Sequence, residues 1–431
     1  MSADTAAPVE EVPGEHAVPL PTGPRLRLLV YAAFPVLIFS FAAPYLRLLQ
    51  LPIIFFLKNR LHLPAHDTAI FNIVAAIPLF LGFVFGFIRD RWSPFGLGDR
   101  GHLMVFGSAS ALAYVAMAFA PPTYLVLLTG CLVVTALLQF VSSASNALAS
   151  GIGRHHAMSG QVSTAMNVAL QLPAALAALL GGVLAGLLEG GQAQAAARTI
   201  FLIGAALMAV LAAFGAFGPK QLFDDAEPVA PALSPGRDVL RLLGTWAIYP
   251  ALLIQILWQF GPGMGVALQY HLSNDIHVTD ARIGQFYAIF NLGFLPVYLL
   301  YGWLAQRFSL RPLLWLGAAL AIPQMASLLF IHSPRDVLLA AIPTGILGGI
   351  SQAAFMDLAI RSCPKGLEGT MMMLLWSMFW IAVTFGDLWG ADLYEHHGGF
   401  NTALLATIGV YAAILPVILL IPRRITAGKD A

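Results

Sequence analysis

Charge is what this sequence has least of. Lys, Arg, Asp and Glu make up only 10% of its 431 residues, and they nearly cancel, at a net +1. That excludes a nucleic-acid binder, which must present a basic surface to phosphate. Cysteine is almost missing too. Cys131 and Cys363 stand far apart, which excludes a disulfide framework and a thiolate metal cluster. No Gly-x-x-x-x-Gly-Lys-[Ser/Thr] occurs, so ATP is not held by a P-loop, and neither His-Glu-x-x-His nor Cys-x-x-Cys is present. The pairs His155-His156 and His396-His397 are adjacent and would point about 100° apart on a helix, which suits one metal poorly. No cofactor and no metal are expected. The first 24 residues, rich in Pro, Ala and Glu, lack the basic start and apolar run of a signal peptide. They read as a disordered cytoplasmic tail.

What the chain has in abundance is hydrophobicity, at 59% of residues with a mean hydropathy of +0.80. A water-soluble core of this size could not hide so much apolar surface. The expected fold is all-α and membrane-embedded. Apolar runs long enough to span occur at 28–57, 67–88, 102–120, 123–149, 157–188, 197–218, 242–270, 281–305, 312–331, 335–360, 368–391 and 400–422, which makes twelve. The first, fifth and seventh are too long for a straight crossing. Pro44 and Pro52 offer bends to the first, and Gly261-Pro262-Gly263 to the seventh. With both termini inside, sixteen Lys and Arg fall on the cytoplasmic side and five outside, which orients the chain in an inner (plasma) membrane.

Scarce charge makes its clusters informative. GFIRDRWSPFGLGDRGH, residues 86–102, joins spans two and three. Its start, Gly86-x-Ile88-x-Asp90-Arg91, returns 216 residues later as Gly302-x-Leu304-x-Gln306-Arg307. The preceding outer segments also match, LHLPAHDTAIF at 61–71 beside IHVTDARIGQF at 276–286. A six-helix unit therefore occurs twice in the same sense, a parallel repeat. The expected organisation is a tail over 1–24, a bundle over 25–219, a linker over 220–240, a second bundle over 241–424 and a tail over 425–431.

The loop sequence resembles the signature of the major facilitator superfamily. The resemblance implies two pseudo-symmetric six-helix bundles with a central cavity lined by spans one, four, seven and ten. It implies that this loop braces the halves in one state of the cycle, with Asp90 near the start of span eleven, where a helix N-terminus favours an acid. The latch candidates are Gly86, Asp90, Arg91 and Arg100 in the first copy, and Gln306 and Arg307 in the second. Glu368, in the first turn of span eleven, joins them. So does the pair Asp357 and Arg361, one turn apart on span ten. The insert Trp92–Gly98 before Asp99-Arg100, and SCPKGLEGTMMMLLWS at 362–377, resemble the folate–biopterin transporter branch. Gly101 stands where that branch has a second basic residue. Muropeptide-type and siderophore-type permeases are neighbours.

Ionisable groups within spans are costly and mark function. Arg47 lies about 30 Å along span one from Arg27. Its planar fork suits a carboxylate or phosphate, although its stem could equally snorkel to headgroups. Asp387 in span eleven is a candidate proton carrier or an interfacial acid. Amides supply further cavity candidates: Gln139 and Asn146 in span four, Asn167 and Gln171 in span five, Gln255 and Gln259 in span seven. Asn291 and Gln352 add spans eight and ten. Trp258, Trp376 and Trp380 could stack on a flat ligand. The expected activity is secondary transport of a small organic anion or zwitterion, pterin- or folate-like by resemblance, driven inward by protons through a monomer in the lipid bilayer. The rival is a non-transporting assembly factor on the same scaffold. An enzyme would need clustered intramembrane acids or a nucleophile–base pair, and the sequence shows neither.

Overall fold

The computed structural model describes residues 20–63, 65–189, 193–224 and 235–430. Most of the expected N-terminal tail and residues 225–234 of the expected linker lie outside that set. Span one is formed by α1 (Thr22–Ala42) and α2 (Arg47–Phe55), and span two by α3 (Ala65–Phe80) and α4 (Gly82–Arg91). Spans three to six are α5 (Gly98–Phe119), α6 (Tyr124–His155), α7 (Ser159–Glu189) and α8 (Ala193–Phe217). Short helices α9 (Lys220–Asp224) and α10 (Pro235–Gly244) lie between the halves. Span seven is α11 (Ile248–Gln259) with α12 (Gly265–Tyr270). Then come α13 (Asp280–Arg307), α14 (Leu310–Ala326), α15 (Asp336–Ser362) and α16 (Glu368–His396). Span twelve is α17 (Gly399–Ala412) with α18 (Ile414–Leu419), and α19 (Arg423–Thr426) follows. Among the described residues ten helical segments are each long and apolar enough to cross a membrane. The 31-residue α7 and the broken seventh span complete the twelve.

Two expected spans are corrected. The seventh begins at Ile248 rather than 242, because α10 is a separate helix set at 74° to α11. Its charged residues, the exposed Arg237 and Arg241 and the buried Asp238 that pairs with Arg91, do not belong in lipid. The first span is not continuous: α1 stops at Ala42 and α2 restarts at Arg47. Pro44 lies in that break, whereas Pro52 is accommodated inside α2.

Each break orphans backbone groups that lipid cannot satisfy, so protein must do so. The Tyr114 hydroxyl donates to the Ala42 carbonyl at the end of α1. In span seven the Gly263 N–H donates to Thr407 Oγ1 at 2.6 Å. Glycine is required there, because a Cβ at Gly263 would lie 2.6 Å from the Leu404 Cα. The internal repeat reaches this level of detail. A π-turn follows each broken span, Phe56–Arg60 in one half and His271–Asp275 in the other. Each is closed by matching bonds: Leu61 N–H to Phe56 O and Leu63 N–H to Leu57 O, then Ile276 N–H to His271 O and Val278 N–H to Leu272 O. His62 and His277, 215 residues apart, both adopt positive φ, at 52° and 57°.

The halves meet chiefly where α4 packs on α16 and α7 packs on α13 and α15. The end carrying the arginine-rich loops is called the basic face below.

Candidate functional site

On the basic face Asp90 is buried, at 5% exposure, and it sits at the first turn of α16. Its carboxylate accepts the Gly369 N–H at 3.0 Å, the Thr370 N–H at 2.6 Å and the Thr370 hydroxyl at 2.6 Å. Arg89 Nη1 donates to it at 2.7 Å while Arg89 Nε reaches Asp99 at 2.6 Å. A carboxylate that caps a helix and is held by a guanidinium is well matched in charge and donors. Glu368 beside it pairs with Arg154 at 3.1 Å, and Arg154 also donates to the Cys363 carbonyl at 2.6 Å. Arg89 and Arg154 escaped the sequence reading of this cluster, because a basic residue at a loop also satisfies orientation.

Gly86 makes the approach possible. A Cβ there would sit 2.8 Å from the Gly369 carbonyl carbon and 2.9 Å from the Thr370 Cα, both backbone. Gly86→Val is therefore expected to wedge α4 from α16 without touching any charge. Alkylation of the buried Cys363 by a maleimide should speed up by tenfold or more in this variant, and an unchanged rate would refute the wedge.

Other expected latch residues go elsewhere. Arg91 Nη1 pairs with Asp238 of α10 at 2.5 Å. Arg100 stays within its own half, donating to the Gly215 carbonyl at 2.8 Å and to Ala216, where it caps the end of α8. Its expected place in a latch between the halves is corrected accordingly. So is that of the second copy's pair. Gln306 is exposed and bonds back to Gly302 of its own helix at 3.2 Å, and the Arg307 guanidinium lies 4.0 Å over the Trp303 ring. Asp357 and Arg361 do pair, at 2.7 Å, and the Tyr301 hydroxyl donates to Asp357 at 2.8 Å.

Above this seal, amides tie the halves together at mid-depth. Gln171 Nε2 donates to Asn291 Oδ1 at 2.5 Å, and Trp376 Nε1 to Asn146 Oδ1 at 3.3 Å. Trp258 is committed to packing rather than left free for a ligand: it stacks on Tyr411 at 4.9 Å and donates to Gln352 at 2.5 Å. Gln259 approaches the same Gln352 oxygen at 3.5 Å, while Gln255 is half-buried on α11. Asn167 turns back to the Ser163 carbonyl at 2.9 Å, and Gln139 to that of Thr135 at 3.4 Å.

Beyond the seal lies a cavity of about 260 Å³. Its polar lining is Tyr45, Gln50, Asn72, Thr135, Thr384 and Asp387, with Trp380 and Cys131. Trp380 and Asp387 are about 15 and 25 Å along α16 from Thr370. Trp380 meets Tyr45 edge to face at 5.8 Å. Asp387 Oδ1 accepts the Val266 N–H at 3.3 Å, where α12 begins after the span-seven break. Thus Trp380 and Asp387 share one wall with the span-one break. Arg47 opens α2 two residues after Tyr45, and its side chain lies outside what the structure describes. Gln50, Asn72 and Thr384 were missed. A polar residue inside an apolar run was the available signal, and the amides elsewhere gave the same one.

A chain of twelve apolar spans in two repeated halves, sealed at one face over an internal cavity, is a membrane transporter rather than an enzyme. The sequence profile of the Major Facilitator Superfamily matches residues 156–387, more than half the chain, and the protein belongs to that superfamily. Solved structures agree in fold. A double-tryptophan mutant of XylE aligns with a TM-score of 0.70 at 14% identity, over 93% of this chain and 96% of its own. FucP, a superfamily transporter in the outward conformation, gives 0.65 at 14% identity, over 91% and 98%. The human organic anion transporter MFSD10 (TETRAN) gives 0.63 at 15% identity, over 93% and 100%. Among curated protein sequences no relative matches.

Proposed function

We propose that the protein imports a small organic zwitterion or anion by alternating access, driven by protons. The halves, residues 25–219 and 241–424, rock about the cavity in an inner membrane with both termini cytoplasmic. The observation that carries this reading is the cavity itself. It is closed on the arginine-rich side by a buried, hydrogen-bonded seal, and it holds an ionisable group, Asp387, beside Trp380. A scaffold that only assembled other proteins would have no use for a cavity holding an acid behind a seal. Asp387 on one wall and Arg47 at the start of α2 suit a cargo carrying both signs, and Trp380 with Tyr45 suits a flat ring. At about 260 Å³ the cavity falls just below the usual range for ligand sites, so a single pterin-like ring fits better than a whole folate. This agrees with the resemblance of residues 92–98 and 362–377 to the folate–biopterin branch. MFSD10, an organic anion transporter by name, is a fold neighbour in keeping with such cargo.

The test is a thermal-shift screen of purified protein with pterins, folates, siderophores, muropeptides and simple organic acids. A ligand that binds only the folded state raises apparent stability by mass action, about 2.7 kcal/mol at a hundred times its Kd. A concentration-dependent rise with pterins that Trp380→Ala abolishes is the expected result. A rise with muropeptides or siderophores alone would overturn the pterin assignment. No rise with any compound, in a protein that still unfolds cooperatively, would favour the assembly-factor alternative.

A further inference from the structure

The repeat gives the Asp90 cap on α16 a symmetry-related place on α7. By sequence its occupant is Gln306, which points away into solvent and bonds to its own helix. The place is nevertheless filled. Asp430, beyond the last span and 6% exposed, accepts the Gln161 N–H at 2.8 Å and the Gly160 N–H at 3.2 Å in the first turn of α7. Asp90 does the same to Gly369 and Thr370 in the first turn of α16. The Asp430 N–H also donates to the Ala305 carbonyl at 3.0 Å, near the end of α13 in the other half.

The likeness extends to the arginines. At the end of span four, Arg154 donates to the Cys363 carbonyl at 2.6 Å and pairs with Glu368 at 3.1 Å. At the end of span ten, Arg361 donates to the Gly428 carbonyl at 2.8 Å and pairs with Asp430 at 3.0 Å. In each half an arginine ending one span grips a segment whose acid caps or begins a helix at the interface. In the first case that segment is the loop between spans ten and eleven. In the second it is the stretch after α19, which belongs to no helix.

We infer that Asp430 is a positioning residue of the transport cycle: it supplies the carboxylate that the second copy of the loop lacks at position 306. Docked, it pins the start of α7 to α13 and α15 and so holds the basic face shut. For the halves to part at that face, Asp430 must release the Gly160 and Gln161 N–H groups of α7. The inference concerns the gate and is independent of the cargo.

The ionisable groups around Asp430 are Asp357 and Arg361 on α15 and Tyr301 on α13, with the two N–H donors of α7. Burial first, then Asp357, pushes the Asp430 carboxyl up to about 6, against the pull of Arg361 and those donors. A free carboxyl titrates near 3.9, so protons favour the docked segment. The gain from docking is complete below the ordinary carboxyl range and is lost as pH rises through about 6.

The test uses the full chain without its two cysteines, in nanodiscs, with spin labels at Leu97 and Phe308. Both positions are exposed on the matching loops of the two halves. Pulsed dipolar spectroscopy reads the distance between them. In the parent chain the long-distance fraction should grow severalfold from pH 5 to pH 8. Asp430→Ala, and separately truncation after Thr426, should give the long distance at both pH values. Adding Gln306→Asp to Asp430→Ala should bring the short distance back. An Asp430→Ala variant with the parent's distances, or with its pH response intact, would overturn the inference. So would long distances that Gln306→Asp leaves in place.

Discussion

Asp90→Asn is expected to shift the balance between sealed and open basic face by about 30- to 150-fold toward open. Asparagine keeps one acceptor oxygen but presents an N–H2 group where the carboxylate receives the Thr370 N–H and hydroxyl, both at 2.6 Å. It also strips the charge that Arg89 holds at 2.7 Å. Losing a hydrogen bond to a buried charged group and stranding a donor costs about 2–3 kcal/mol, and each 1.4 kcal/mol is tenfold. The chain's own cysteines measure the outcome. Cys363 is 5% exposed behind the seal, while Cys131 lines the cavity on the other side. In nanodiscs, where both faces are wet, a maleimide should label Cys363 faster by that factor and Cys131 more slowly. If both rates match those of the unmodified chain, Asp90 is an ordinary helix cap and no latch.

Asp387→Asn is expected to reduce gradient-driven uptake to a few per cent while leaving exchange of cargo across the membrane largely intact. An acid within a span is expensive to keep and is a functional candidate by default; the proposed proton-driven cycle gives Asp387 the role of carrier. Asp387 lines the cavity and accepts the Val266 N–H in the first turn of α12, beyond the span-seven break, at 3.3 Å. A proton on that carboxyl would weaken its grip on α12, so proton binding and the shape of span seven are linked. Asparagine fixes the group in a neutral state and removes the cycle. Uptake by proteoliposomes, with and without an imposed pH gradient, separates the two activities. Proton-driven uptake that survives the substitution would remove Asp387 from the coupling path.

How legible was this in the sequence? Features written along a single helix or loop came through. The repeat of Gly86-x-Ile88-x-Asp90-Arg91 at an offset of 216 is echoed by broken spans, π-turns and positive-φ histidines at nearly the same offset. The Asp357–Arg361 pair is spaced one turn apart and closes at 2.7 Å. Features that need a distance between helices did not. Arg100 looked like part of the latch, yet the carbonyls it reaches belong to α8, more than a hundred residues later. Gln306 matched the motif's place but not its chemistry. A neutral amide lacks the charge that a helix N-terminus and a guanidinium reward, and this one bonds to the Gly302 carbonyl of its own helix instead.

Hydrophobic patterning, the repeated loop motif and the distribution of Lys and Arg therefore marked this chain, from sequence alone, as a bundle of membrane-crossing helices in two related halves with one arginine-rich face. Lipid thickness, backbone satisfaction and the cost of burying charge act on composition alone, whatever the helices later touch. Only the tertiary structure decided which face is sealed, which amides are interhelical ties, and which acid occupies the second cap. Asp430 is far along the chain from Gly160 and Gln161 and lies in a stretch with no periodicity to read. What binds it there is the Gly160 and Gln161 N–H groups at the start of α7 and the guanidinium of Arg361. Those groups come together only when the two halves close on each other.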